Sequence, residues 1–436
     1  MWKRLPLALV IGLVIQAAFD TARLIHYLHI SEASWETWSL FEEGFDFAST
    51  ALITVGLFEL ARGLRDRAQL GARIAAWGQV AMLAMLALWL GLMAWGNAGH
   101  EWGGTVKFIE LASRYVSSLA FLVTAIGLWM ATRNRALGIA GVAIALIGTP
   151  VPVVGELIGN MLSLDGMLGM IVSMAPYALI SCVWLAQIAV AARDVELPPA
   201  SVPASLAFTR AARALWLRVI AACTLGGLTF FAALSGGIGM VDLLKGVTLL
   251  APLVDAIALV LFARAALQLG RAGIAPWRTT LAATFALFST GALAQRLPTT
   301  YALLYGDHDH SDLARGSSLM IYSITVPLAA GTAIALMLLA VGQLARERNA
   351  EDVRENIAVR TGVFVVLTLG SLFVATYGVS HLPPSPGLVI FILLALVCAS
   401  FYTLVLAAKI CGQGAELVER DPIGLPSATL VQRGDL

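Results

Sequence analysis

Apolar runs broken by short polar stretches fill most of the chain. A helix needs roughly 20 consecutive apolar residues to cross the hydrocarbon core of a bilayer. Twelve segments approach or exceed that length: residues 5–29, 44–62, 74–95, 107–131, 137–160, 166–192, 214–236, 246–270, 279–304, 317–344, 359–380 and 387–411. The pattern predicts an all-α polytopic membrane protein with twelve transmembrane helices. The one long polar interruption is Arg193–Arg213, RDVELPPASVPASLAFTRAAR, whose three prolines and small polar residues predict a linker. It divides the chain into a first six-helix repeat (1–192), the linker (193–213), a second six-helix repeat (214–412) and a tail (413–436).

A weak internal similarity supports the word repeat. Gly44–Arg62, GFDFASTALITVGLFELAR, aligns with Leu253–Arg271, LVDAIALVLFARAALQLGR, placing Asp46 on Asp255, Leu52 on Leu261, Leu60 on Leu269 and Arg62 on Arg271. A slowly drifting offset also pairs Arg4 with Arg213 and His100 with His310, and after an insertion near Arg348–Arg354 it pairs Gly155 with Gly378. The order and steady spacing of these matches, more than any one of them, indicate duplication.

Composition agrees with the membrane reading: 59% of residues are hydrophobic and only 13% charged, against about a quarter charged in soluble domains. Mean hydropathy is +0.84. The net charge of +1 conceals an uneven distribution. With the N-terminus placed inside, 22 of the 28 lysines and arginines fall on the inner side, the arrangement that basic residues impose on topology. Both termini are then cytoplasmic. Six helices per half is an even number, so the two repeats stand parallel, related by an axis along the membrane normal. The basic, apolar first segment is similar to a secretory signal, but its apolar run continues past Asp20 and has a counterpart at Ala211–Leu234, so it is expected to be retained. The four cysteines show neither paired nor metal-ligand spacing, and no disulfide or thiolate site is expected.

Charges inside the apolar segments are the natural candidates for function. Asp255 lies nine residues, about 13 Å of helix, from Arg264; it either pairs structurally with Arg296 on the next segment or carries a proton or cation. Arg296 is alternatively an anion anchor. Asp46 is the counterpart of Asp255 and shares a helix face with Glu42 and Glu43, where three carboxylates either hold a cation or, the reading favoured, simply complement the helix dipole. Glu156 follows the doubly interrupted stretch GTPVPVVGEL, whose Pro150 and Pro152 break a helix, as happens beside wet cavities. Asp20 and Arg23 share a face of the first segment and read first as a structural pair.

Under this topology all six histidines lie outside, among most of the unpaired acids. His26 and His29, three residues apart, and His308 and His310 in the run DHDH are candidate metal ligands; the alternative is a solvated rim that titrates with external pH.

No phosphate loop, nucleophile elbow or helix-centre histidine pair is present, so no enzyme activity is expected and no cofactor is named by a motif. Basic residues spread along inner loops argue against nucleic acid as a partner; the partners expected are the bilayer, other membrane subunits, and a small solute or ion. Two parallel six-helix halves with a central inner linker resemble the architecture of the major facilitator superfamily. The inner segment ARGLRDRAQLGAR is basic and suitably placed but lacks that family's spaced glycine–aspartate–arginine pattern, and membership is not assigned. The first expectation is a secondary transporter moving a small solute or ion between the halves, with proton or cation coupling. The alternative is a non-transporting membrane subunit, a scaffold, sensor or metal- or partner-binding element of a larger envelope or electron-transfer complex.

Overall fold

The computed structural model describes residues 6–29, 35–97, 104–132, 134–148, 166–191, 202–235, 239–305, 317–374 and 386–420. Glu156, His308 and His310 lie outside them. Twelve helices are present among the described residues: α1 (Leu7–His29), α2 (Trp35–Gly63), α3 (Asp66–Asn97), α4 (Gly104–Ala131), α5 (Arg135–Gly148), α6 (Gly166–Ala191), α7 (Ala204–Ser235), α8 (Gly239–Arg271), α9 (Pro276–Tyr305), α10 (Ser317–Glu347), α11 (Glu351–Phe373) and α12 (Pro386–Arg420). Six contain stretches long and apolar enough to cross a membrane: Gly44–Gly63, Asp66–Trp89, Lys245–Arg271, Ile324–Glu347, Val353–Phe373 and Ala395–Glu419. The described residues are all-helical, with the helix length and composition of a membrane-embedded chain.

Exposed side chains show the same character. On α11, Val359, Val366 and Phe373 are 68%, 69% and 64% exposed and recur at helical spacing. A stripe of that kind is unfavourable in water and neutral against lipid chains.

The stretch expected to be a linker is helical in its second part. Pro203 is the last proline in it, and beyond it Ala204, Ala207, Phe208, Ala211 and Ala212 are buried along one side of α7. Proline is tolerated at the start of a helix, so helix begins as soon as the prolines end. At the other end, α12 continues through residues 413–420, where Ala415, Leu417 and Val418 are buried.

The chain forms two compact units, one of Met1–Pro199, Ala221–Val260 and Thr284–Ala330, the other of Ala200–Ile220, Leu261–Ala283 and Gly331–Leu436. In the first unit, α1 packs on α2, α2 on α3, α3 on α4, α4 on α5, α5 on α6, and α6 returns to α1. This closed circuit in chain order surrounds an apolar core that includes Leu9, Leu13, Leu57, Phe121, Leu128 and Trp184.

Small residues set how closely these helices approach. On α3, Gly71, Ala75 and Gly78 face Ala131, Gly127, Thr124 and Ala120 on α4. A Cβ on Gly71 would stand 2.6 Å from the backbone N of Ala131 and the carbonyl O of Gly127. Burying apolar surface gains little when lipid is the alternative solvent, so close backbone contact along such a stripe supplies much of the attraction. On α1 and α2, Leu9 fills the space above Gly56 and Ile53 the space above Gly12.

Several hydroxyls inside the helices are satisfied locally. The Thr124 hydroxyl donates to the Ala120 carbonyl at 2.9 Å and accepts from Gln79 Nε2 at 3.3 Å, joining α4 to α3. Replacing Thr124 by valine keeps the shape and removes the interhelical bond; the expected loss is about 1 kcal/mol, measurable by thermal unfolding in detergent.

In the second unit, two helix pairs are joined by tight turns. At the end of α8, Ile274 N–H donates to the Leu269 carbonyl and Gly273 N–H to the Gly270 carbonyl. Gly273 takes φ +81°, the left-handed position such a cap requires. Asn349, φ +53°, does the same between α10 and α11. α11 and α12 pack together, and Phe208 of α7 lies on Gly414 of α12.

A buried carboxylate between two helices

Asp20 of α1 is the most deeply placed of the anticipated residues whose side chains are described, 9% exposed. Its Oδ2 accepts a hydrogen bond from the hydroxyl of Ser181 on α6, at 3.3 Å. Asp20 is thirteen residues from the start of α1, and Ser181 ten before the end of α6, roughly 20 Å and 15 Å of helix. The pair therefore sits well inside the helical layer, on the far side of the apolar core from the short loops.

Asp46 is half-buried on α2, where its backbone carbonyl accepts from the Ser49 hydroxyl at 3.2 Å. The residues preceding the two aspartates meet: Phe19 lies 5.2 Å from Phe45 between ring centroids, and Phe45 lies 4.9 Å from Phe288 of α9. Gly44 makes this possible, because a Cβ there would stand 2.7 Å from the Phe288 ring. The structure thus brings Asp20 and Asp46 to the same level of neighbouring helices, beside an aromatic ladder.

Asp255 is half-buried on α8, three residues after Pro252, which removes one backbone donor inside that helix. It stands about as far from Arg271 as Asp46 does from Arg62. Arg296 falls on α9, and His26 and His29 fall on α1, but their side chains lie outside the described part, and so does the anticipated pairing of Asp255 with Arg296. Among the described residues no group of three or more histidine, cysteine, aspartate or glutamate side chains could hold a metal. All four cysteines are free.

Three groups not singled out by sequence belong with Asp20. Ser181 is fully buried in an otherwise apolar helix. Trp184 and Gln187 follow it on α6 at three-residue spacing, 0% and 1% exposed. Trp184 packs on Phe121 of α4 with ring centroids 4.9 Å apart, and its Nε1 has no hydrogen-bond partner among the described residues. Gln187 Nε2 donates to the Leu137 carbonyl of α5 at 2.8 Å, beside Gly141, while its Oε1 has no partner among the described residues. A single serine, tryptophan or glutamine among leucines gives no periodic signal; only the packing of α1 on α6 assembles them.

No family model, curated protein or solved structure matches the chain.

Proposed function

We propose that the chain is a secondary transporter of a small solute or ion, coupled to protons or another cation, in the inner membrane of a bacterium. The observation that carries this reading is the buried Asp20 carboxylate, hydrogen-bonded to Ser181 and level with Asp46 on the next helix. Ionisable groups inside a membrane helix cost roughly 3 kcal/mol to insert, and they usually mark ion or substrate paths. Asp255 on a proline-interrupted helix supplies a further carboxylate of the same kind. The expected repeat and its parallel arrangement give an alternating motion its mechanical basis.

The purified protein in liposomes, given an inward proton or sodium gradient and a panel of small solutes, is expected to show gradient-driven uptake. Asp255→Asn is expected to abolish that uptake while the protein remains in the membrane. Normal uptake in this variant removes Asp255 from the mechanism.

The second reading, a non-transporting subunit of a membrane complex, is favoured by a different observation. The circuit of α1–α6 is filled by leucine, alanine and tryptophan side chains at one end, which suits a scaffold. A partner that remains bound through purification, together with no uptake of any solute under either gradient, would establish it in place of transport.

A further inference from the structure

Five buried side-chain polar atoms lack a hydrogen-bond partner among the described residues, and three of them, Gln16 Oε1, Trp184 Nε1 and Gln187 Oε1, belong to α1 and α6. Buried polar groups are nearly always paired, and an unpaired one calls for a water or an ion. These three have a common geometry. Asp20 meets Ser181, and the helices run antiparallel, so one turn further along each brings Gln16 and Trp184 to the same level. Gln187 lies another turn on, bonded to the third residue of α5 at the arginine-bearing end of the circuit. The order Asp20–Ser181, Gln16–Trp184, Gln187 thus runs from the buried carboxylate to the side that the basic residues mark as cytoplasmic. It contains both an orphan donor and orphan acceptors, which suits water: a bound water both donates and accepts.

We propose that α1 and α6 enclose a file of ordered waters, held by Gln16, Trp184 and Gln187, through which Asp20 exchanges protons with the cytoplasmic side. A proton entering the file at Gln187 bonds to the first water oxygen. That water releases one of its own protons to the next, and the last water gives a proton to a carboxylate oxygen of Asp20. Each water keeps its composition and no electron changes hands. Trp184, a donor only, orients its water and passes nothing. The inference rests on the transport reading for the use of the path and deepens it by naming the proton as the coupling ion. The file sets how fast Asp20 exchanges its proton with the cytoplasmic side.

Two measurements on the full chain in lipid nanodiscs test the file. Hydroxyl radicals generated by X-rays from bound water are expected to oxidise Trp184 at exposures that leave Phe262, equally buried, intact. After a pH jump, infrared difference spectra are expected to show a carboxyl band that disappears in Asp20→Asn and forms at least about tenfold more slowly in Gln187→Leu. Trp184→Phe, which keeps the ring on Phe121, is expected to slow it as well and serves if Gln187→Leu does not fold. An unoxidised Trp184, or an Asp20 band that forms at the wild-type rate in both variants, overturns the file. Neither measurement needs a solute. A wet, fast path in a chain that transports nothing rejects the transport reading alone, whereas a dry, slow one in a chain that transports rejects the file alone.

Discussion

Gly127→Leu is expected to destabilise the protein by about 3 kcal/mol or more, whereas the same change at Gly362 leaves stability unchanged or slightly improved. Both glycines are helical, so propensity favours leucine at each by somewhat under 1 kcal/mol. What differs is the neighbour. A Cβ on Gly127 meets the backbone N of Ala75 and stands 2.6 Å from the carbonyl O of Gly71, atoms of α3 that no side-chain rotation can move aside. At Gly362 nothing lies within 4 Å. The cost at Gly127 therefore comes from forcing α3 and α4 apart along a stripe that also holds Ala75, Gly78 and Thr124. Equal unfolding curves for the two variants in detergent would show that this crossing does not carry the stability assigned to it.

Trp184→Ala is expected to cost about 4 kcal/mol, within the range for deleting a buried tryptophan side chain. Trp184 is fully buried at the meeting of α4 and α6, stacked on Phe121 and surrounded by the core of the α1–α6 circuit. Alanine would leave a cavity whose walls are already fixed by other helices. Trp184→Phe keeps the aromatic contact and removes the unpartnered Nε1, so its cost is expected to be smaller, about 1 kcal/mol. The pair separates the packing of the ring from its polar edge. If both variants lose the same stability, the polar edge rather than the ring is what the core depends on.

The residues that were legible early share one property: they interrupt an apolar run. Asp20, Asp46 and Asp255 stand out because a charge among leucines is costly wherever the helix turns, and each proved to be buried or half-buried. Ser181, Gln16, Trp184 and Gln187 did not stand out, since a neutral polar residue is tolerated on any face of a membrane helix. The glycine stripe of α3 and α4 is a partial exception. Its spacing, Gly71–Ala75–Gly78, was visible, but small residues recur throughout a chain with 40 glycines, and spacing does not name the partner helix. The stretch before α7 shows the opposite error. Pro203 stands immediately ahead of α7, yet the ten residues that follow it carry an amphipathic pattern that their polar composition masked.

By itself, the order of apolar and charged residues determined that the described part of this protein is helical, roughly where its helices lie, and that several of them are long and apolar enough to cross a membrane. Each of those properties depends on the transfer free energy of residues taken one segment at a time. Which helix lies against which was decided only in three dimensions, because apolar faces are nearly interchangeable in lipid. There, selection falls to close backbone approach, as at Gly71 and Gly127, and to single polar bonds, as between Asp20 and Ser181. Both are properties of pairs of helices, and a linear sequence carries them only once the pairing is known.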